Sequence, residues 1–161
     1  MLISKYILDC KTYHTSKRTV TWETCSLRSW LNSTFIARAF SDAEQLLVPT
    51  VTVTADKGSW SGSTPGNATK DQVFLLSSNE ITSYFGVMKR DRQCIATAYA
   101  VASGVFTGSS GNGYWWLRTP GFDNTEAMYV NSDGESGGSW FVNETDYGVR
   151  TALWIDLSKI P

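Results

Sequence analysis

The chain has 161 residues, 42% of them hydrophobic and 18% charged, with a formal net charge of −1. This length and composition predict one globular domain and exclude a disordered chain. Acidic and basic residues are mixed along the sequence, which excludes the basic stripe of a nucleic-acid-binding protein, and no run of about 18 apolar residues predicts a membrane span.

The first third of the sequence predicts a strand, a polar loop and a helix. Residues 1–8 have the apolar character of a strand, and the loop after them holds the only histidine, His14, which we expect at the surface. Apolar side chains then recur at spacings of three and four over residues 27–39, which predicts a helix with one buried face. Thr24 or Ser26 is the expected N-cap of this helix.

Two capping-box patterns predict the starts of further helices. Ser41-Asp-Ala-Glu44 predicts a short helix that Pro49 ends, and Ser77-Ser-Asn-Glu80 predicts a helix that Gly86 ends. In such a box the serine oxygen and the glutamate carboxylate each accept a bond from a free backbone amide. The alanine-rich residues 94–103 predict one more short helix.

Between these helices, residues 48–55 and 71–77 have the β-branched and apolar character of strands. Residues 56–70 predict a long loop around Trp60. The cationic cluster at 89–92 is interrupted by an aspartate, and we expect a solvated turn there.

From residue 104 to 147 the sequence is rich in glycine and predicts strands and loops. The predicted strands are 115–118, 127–130, 139–142 and, closing the chain, 149–157. Ser132-Asp-Gly134 is typical of a hairpin turn. Helices thus precede strands along the chain, which predicts an α+β fold rather than alternating βαβ units.

These segments together resemble a bacterial family known as domain of unknown function 6273. The segments that carry the resemblance are Thr21–Asn32, Phe40, Asp71–Ser77, Arg92–Cys94, Thr97–Ala100, Trp115–Gly121 and Gly148–Ile155. They cover nearly the whole chain in order. Thr119 and Thr151 depart mildly from the serine and proline of other members.

The C-terminal pattern in turn resembles the C-type-lectin-like fold, in the branch that includes formylglycine-generating sulfatase-modifying domains. This resemblance implies a single domain over residues 1–161, with two or three short helices packed on small antiparallel sheets and a long glycine-rich loop region. It also implies an extracellular or cell-surface location, although the chain starts without the features of a signal peptide. Members carry a strand pair before the region that begins here at Met1, so we expect the chain to be N-terminally truncated, the C-terminal part of a longer protein.

Catalytic chemistry has little support in this sequence. Nucleophilic catalysis needs a base beside the nucleophile, and the single histidine lies in a polar loop. Cys10, Cys25 and Cys94 lack CxxC spacing, which leaves open one disulfide with a free thiol or three reduced thiols. The sulfatase-modifying relatives use two C-terminal cysteines, and none follows Cys94 here. We therefore expect no enzyme activity and no cofactor.

Calcium is the one metal that the sequence leaves open, and we expect it to be absent. Asn131, Asp133 and Glu135 alternate, which on an extended strand would place their oxygens on one face. The chain lacks the Glu-Pro-Asn and Trp-Asn-Asp signatures of calcium-dependent lectins, so solvated carboxylates are the expected state.

Aromatic and Asn/Asp side chains in the 116–147 loop region are the predicted ligand-binding surface. Flat rings beside amides and carboxylates suit sugars, and the same mixture suits protein recognition. The predicted contact residues are Trp116, Phe122, Asp123, Asn124, Tyr129, Asn131, Asp133, Trp140, Asn143, Asp146 and Tyr147.

Other aromatic and basic residues are assigned to the scaffold. Trp22, Trp30, Trp115 and Trp154 are predicted to lie in the core, with Trp116 partly so. Arg118 and Arg150 each stand in an apolar strand and are expected to fix the long loops through carboxylate partners.

The sequence therefore favours a non-enzymatic binding module of a bacterial surface or secreted protein, with a glycan or a protein as ligand and no prediction of oligomeric state. One alternative is the variable receptor-binding protein of a diversity-generating retroelement, phage or bacterial, which this family resembles from Trp115 onward. Another is a purely structural spacer domain.

The genetic code tests the retroelement alternative. Replacing the two adenines of an AAC codon never produces Glu, Met or Trp. Glu126, Met128, Glu135, Trp140 and Glu144 therefore cannot be products of that process. So many exceptions favour an ordinary family member over an actively diversified one.

Overall fold

The computed structural model describes residues 1–58 and 62–160 and has an α+β architecture of short helices and small sheets. The α-helices in the described chain are α1 (Ser26–Trp30), α2 (Ile36–Ala39), α3 (Asp42–Gln45), α4 (Ser78–Phe85), α5 (Lys89–Arg92) and α6 (Ala98–Ala102). The strands are β1 (Leu2–Ile3), β2 (Asp9–Cys10), β3 (Val51–Val53), β4 (Thr69–Asp71), β5 (Val73–Phe74), β6 (Trp115–Pro120), β7 (Glu126–Val130), β8 (Ser139–Phe141), β9 (Gly148–Val149) and β10 (Ala152–Leu153). Trp60, the centre of the predicted long loop, lies outside the described residues.

The strands form three sheets. The largest has the order β2-β9-β6-β7-β8, and the others have the orders β1-β10-β5 and β3-β4. The pairs are antiparallel except β6 with β9, which run parallel where Trp115 faces Gly148. The expectation of purely antiparallel sheets is therefore wrong at that one pair.

Both terminal segments divide between two sheets. β1 pairs with β10, and β2 pairs with β9, so the start and the end of the chain run side by side. The predicted single strand over 149–157 is wrong because the chain leaves one sheet after Val149 and enters the other at Ala152. The second strand ends at Leu153, which leaves Trp154 42% exposed rather than in the core as predicted.

The predicted helix over 27–39 is confirmed, but it contains a wide π turn at Leu31–Phe35 between α1 and α2. Its N-cap is Cys25, not Thr24 or Ser26, and the sulfur accepts from the Arg28 amide at 3.5 Å. Within the π turn, the Asn32 side chain accepts from the Val73 amide at 3.1 Å and donates to the Val73 carbonyl at 2.8 Å. Because β5 is an edge strand, Asn32 supplies the partners that a further strand would otherwise give.

Local sequence signals predicted α3, α4 and α6. Both capping boxes are present, at the starts of α3 and α4, and Gly86 ends α4 at a positive φ of 67°. The predicted helix within 94–103 is α6. The solvated turn expected at 89–92 is instead α5, and Arg92 is buried because its guanidinium donates to the Gly86 carbonyl and to Ser136.

The strands predicted in the glycine-rich region are confirmed as β6, β7 and β8. Gly134 has a φ of +84° in the turn between β7 and β8, and a Cβ there would lie 1.9 Å from the Lys89 carbonyl oxygen. Only glycine fits this close approach. In the described part of the chain, every helix is too short or too polar to cross a membrane.

The core predictions hold for Trp22 and Trp115, which are buried, whereas Trp30 is only half-buried. The Trp22 indole donates to the buried carboxylate of Asp71 at 3.0 Å. The same carboxylate accepts from Arg28 Nε at 2.6 Å, so it joins the segment before α1 to β4.

Arg118 lies on β6 and is buried, and its guanidinium reaches both buried and partly exposed partners. Its guanidinium forms a two-point ion pair with Glu80, one bond of which is 2.8 Å, and donates to the Leu75 carbonyl at 2.9 Å and the Thr54 carbonyl at 3.2 Å. Glu80 is also the acidic member of the α4 capping box. The predicted role of Arg118 as a structural residue with a carboxylate partner is confirmed.

Arg150 differs, because its recorded partners are carbonyls and rings rather than a carboxylate. It donates to the Ser4 carbonyl at 3.1 Å and lies 4.7 Å from the Phe85 ring centre and 4.9 Å from that of Trp115. The predicted carboxylate partner is therefore wrong for Arg150. A weakly hydrated guanidinium can be buried in this way because it stacks on aromatic faces.

We expect Arg118→Ala to lower the free energy of unfolding by about 3 kcal/mol, because it leaves the partly buried Glu80 carboxylate and the buried Leu75 carbonyl without their donor. Urea denaturation followed by circular dichroism measures the change. Lys89→Ala is the control, since it removes an ion pair with Glu135 whose side chains are 60% and 49% exposed. It should cost less than about 1 kcal/mol. Equal losses for the two variants would contradict the assigned role of Arg118.

Candidate functional site

A concave pocket of about 350 Å³ opens at the ends of strands β6 to β9. We call it the aromatic–acid pocket, and its lining residues are Phe106, Tyr114, Tyr129, Trp140, Glu144, Asp146 and Tyr147. Its volume falls in the range of small-ligand sites, about 300–1,000 Å³.

Strand alternation places the rings on one side of the sheet. Tyr114 and Trp116 are two residues apart, so they face the same way, and Trp116 is the cross-strand partner of Tyr129. Tyr147, just before β9, stacks on Trp116 with ring centres 4.2 Å apart. The buried Trp116 ring is thus the support on which the pocket rings rest.

The rings pack tightly against one another. Tyr114 stacks with Tyr129 at 5.5 Å between ring centres, and Tyr147 meets Tyr129 edge-on at 4.9 Å. Phe106 lies 4.7 Å from Tyr114 and is 46% exposed at the rim. Such contacts leave little rotational freedom, so the pocket is preorganised.

Two carboxylates complete the lining. Glu144 accepts from the indole nitrogen of Trp140 at 2.6 Å, which orients a ring that is 47% exposed. Asp146 differs, because its Oδ1 atom is buried and has no hydrogen-bond partner among the described residues. Burial, with a smaller contribution from Glu144, raises the pKa of the Asp146 carboxyl.

The structure brings together four of the predicted contact residues, namely Tyr129, Trp140, Asp146 and Tyr147. Sequence reasoning did not select Phe106, Tyr114 or Glu144 as contacts. The i, i+2 spacing from Trp116 could have indicated Tyr114, whereas nothing in the sequence signals that Phe106 joins this group.

Two predicted contact residues are buried parts of the scaffold. Trp116 is fully buried and its indole donates to the Lys11 carbonyl at 2.9 Å, so the ring presents no free face. Asn124 is also buried, and its amide donates to the Thr64 carbonyl at 2.7 Å and the Val20 carbonyl at 3.3 Å. In this structure both side chains are enclosed by their own chain, and neither lines the aromatic–acid pocket.

The remaining predicted residues lie outside the pocket lining. Phe122, Asp133 and Asn143 are exposed. Asp123 accepts from the Thr125 amide at 2.6 Å, and these bonds from Thr125 lower the pKa of the Asp123 carboxyl.

Two of the three groups considered for calcium, Asn131 and Glu135, already have protein partners. Asn131 Oδ1 accepts from the amides of Asp133 and Glu135, both at 2.9 Å, which closes the turn, and the Glu135 carboxylate pairs with Lys89. Within residues 1–58 and 62–160, no group of three or more His, Cys, Asp or Glu side chains is placed to hold a metal ion.

The groups considered for nucleophilic chemistry are enclosed. His14 is buried, not at the surface as expected, because its Nδ1 accepts from the Ser26 amide at 3.1 Å. Burial lowers the pKa of this imidazole. Cys10, Cys25 and Cys94 are buried free thiols, and burial raises the pKa of Cys10 to about 11 and that of Cys25 to about 12.

Comparison with known proteins places the chain in one family. The family described as Domain of unknown function (DUF6273) matches residues 1–157, as the sequence segments predicted. No curated protein and no solved structure matches the chain.

We expect Asp146→Asn to raise the melting temperature at pH 7. The raised pKa means that the folded state disfavours the charged carboxylate, so this group lowers stability above that pKa and ceases to do so as the pH falls through it. The difference between variant and wild type should therefore shrink in acid. Asp123→Asn is the control of opposite sign, because bonds from Thr125 favour its charged form and the variant should lose stability at pH 7. A lower melting temperature of Asp146→Asn at pH 7 would contradict the conclusion that the charged Asp146 carboxylate destabilises the folded state.

Proposed function

The chain belongs to the DUF6273 family, and we propose that it is a non-enzymatic binding module that takes its ligand, a glycan or a protein, in the aromatic–acid pocket. The observation that carries the proposal is the pocket itself, where preorganised rings and two carboxylates line a cavity of about 350 Å³. A mostly aromatic concave site with a few placed polar groups is the usual form of a binding site.

The absence of an activated nucleophile near the pocket favours binding over catalysis. Among the described residues the only thiols are buried with pKa values raised by burial, and the single imidazole is used to cap the Ser26 amide. The two pocket carboxylates are in different environments. Glu144 accepts a hydrogen bond from Trp140, and one oxygen of Asp146 is buried. We therefore propose recognition without chemical conversion of the ligand.

The finer architecture is part of the same proposal. A tryptophan-rich strand, β6, a glycine-rich excursion and the short strand β9, which Arg150 follows directly, come in the same order as in the C-type-lectin-like fold. This order supports a C-type-lectin-like domain, and with it a place at the bacterial surface or in a secreted protein.

The alternative of a diversified retroelement protein is less consistent with the contacts that two asparagines make. Positions that vary freely must not support the fold, yet Asn124 bridges three loops and Asn131 closes the β7–β8 turn. Both lie in the segment from Trp115 onward that carries the resemblance to variable proteins. These roles favour a fixed surface over a diversified one.

Trp140→Ala tests the site. Wild-type protein is screened on a glycan array and by peptide-display selection, and the variant is then measured by titration calorimetry against each ligand found. We expect at least a tenfold loss of affinity, because removing a large ring at the centre of a site commonly costs about 2 kcal/mol or more.

Phe122→Ala is the matched control, since it removes an exposed aromatic side chain that does not line the pocket. Retained binding by Phe122→Ala with loss in Trp140→Ala supports the proposal. Loss in Phe122→Ala alone, or failure of wild-type protein to bind any member of either collection, overturns it.

A further inference from the structure

We infer that the aromatic–acid pocket recognises an organic ammonium group, either of a free amine or of a lysine side chain. This inference rests on the proposed function, because it names the chemical group that the same pocket selects. Its three supports are the ring arrangement, the charge of the lining and the uncompensated carboxylate.

The rings present a surface that attracts cations. Tyr147 meets Tyr129 with an interplanar angle of 77° and Tyr114 with one of 58°, so adjacent walls of the pocket face different directions. Trp140 adds an exposed indole whose position is held by Glu144. A cation near several ring faces is attracted by each ring quadrupole, which is how aromatic cages select ammonium ions.

The charge of the lining has one sign. Glu144 and Asp146 are acidic, and none of the described lining residues is basic. The potential inside the pocket is therefore negative, and it favours a cationic ligand over a neutral or anionic one.

Asp146 keeps one carboxylate oxygen without a hydrogen-bond partner. Its Oδ1 atom is buried and has no partner among the described residues, while the residue as a whole is half-buried and lines the pocket. A bond from its own backbone amide favours the charged form, but burial outweighs it. An unpaired charge in a partly desolvated place costs free energy, and a proton donor with positive charge removes that cost. An ammonium group offers only donors and carries that charge.

A neutral sugar is less complementary to this pocket than an ammonium group. Its hydroxyls can stack and bond, but they leave the charge of both carboxylates uncompensated. The pocket volume of about 350 Å³ suits a compact headgroup or the end of a side chain rather than an extended chain.

A pair of probes of similar shape tests the inference. Butylammonium and its neutral analogue 1-butanol are titrated into the isotopically labelled protein, and shifts of the tryptophan indole resonances are followed by NMR. We expect butylammonium to bind at least fivefold more tightly than the neutral analogue, because only butylammonium gains both cation–π interactions and charged N–H bonds to a carboxylate. A lysine-containing peptide and its acetyl-lysine form repeat the comparison for the side-chain source.

Asp146→Asn and Asp91→Asn are the paired variants. Each removes one negative charge, but Asp91 is exposed on α5 and does not line the pocket. We expect Asp146→Asn to weaken ammonium binding at least fivefold, and Asp91→Asn to leave it within twofold of wild type. The thermal stability expected of Asp146→Asn separates lost recognition from lost folding.

The outcomes separate this inference from the proposed function. The inference is supported if the wild-type protein prefers the charged probe and only Asp146→Asn loses that preference. Binding of the free amine or of the lysine peptide then identifies the source of the ammonium group. Equal binding of charged and neutral probes, equal effects of the two variants, or no binding of any ammonium probe overturns it. The proposed function survives each of these results if another ligand still depends on Trp140.

Discussion

The ion pair between Arg118 and Glu80 is the contact on which much of the fold depends. It joins the middle of β6 to the first turn of α4, and the same guanidinium holds carbonyls after β5 and β3. Glu80 meanwhile caps α4 by accepting from the Ser77 amide at 3.0 Å. One buried charge therefore fixes the helix, two loops and the central strand relative to one another, and removing either partner would leave the other uncompensated.

Strand β6 connects this ion pair to the part of the sheet where the aromatic–acid pocket lies. Its two tryptophans face opposite sides of the sheet. Trp115 packs beneath the Arg150 guanidinium, and Trp116 supports Tyr147 and through it the other rings. One side of β6 therefore packs in the scaffold, and the other side supports the aromatic–acid pocket. This explains why a pocket lined partly by loop residues can be preorganised.

The Asp146 carboxylate in the pocket differs from the well-paired buried carboxylate of Asp71. Elsewhere, buried carboxylates such as that of Asp71 are fully paired, with bonds from Trp22, Arg28 and Thr69. Asp146 keeps an enclosed oxygen without a donor beside a second acid. A stability cost retained at one concave site is typical of a functional site, because the same groups that weaken the free protein strengthen its complex.

The sequence by itself determined the local features of this protein, because capping boxes, the helical spacing over 27–39, the turn glycine at 134 and strand alternation depend on neighbouring residues. It also indicated Tyr129, Trp140, Asp146 and Tyr147 as residues of the candidate site, since aromatic and acidic side chains cluster within one short segment. Only the tertiary structure decided that Phe106 joins them, that Trp116 and Asn124 are enclosed, and that the last strand divides between two sheets. These outcomes depend on sheet order and on contacts between residues far apart in the chain, which no local pattern encodes.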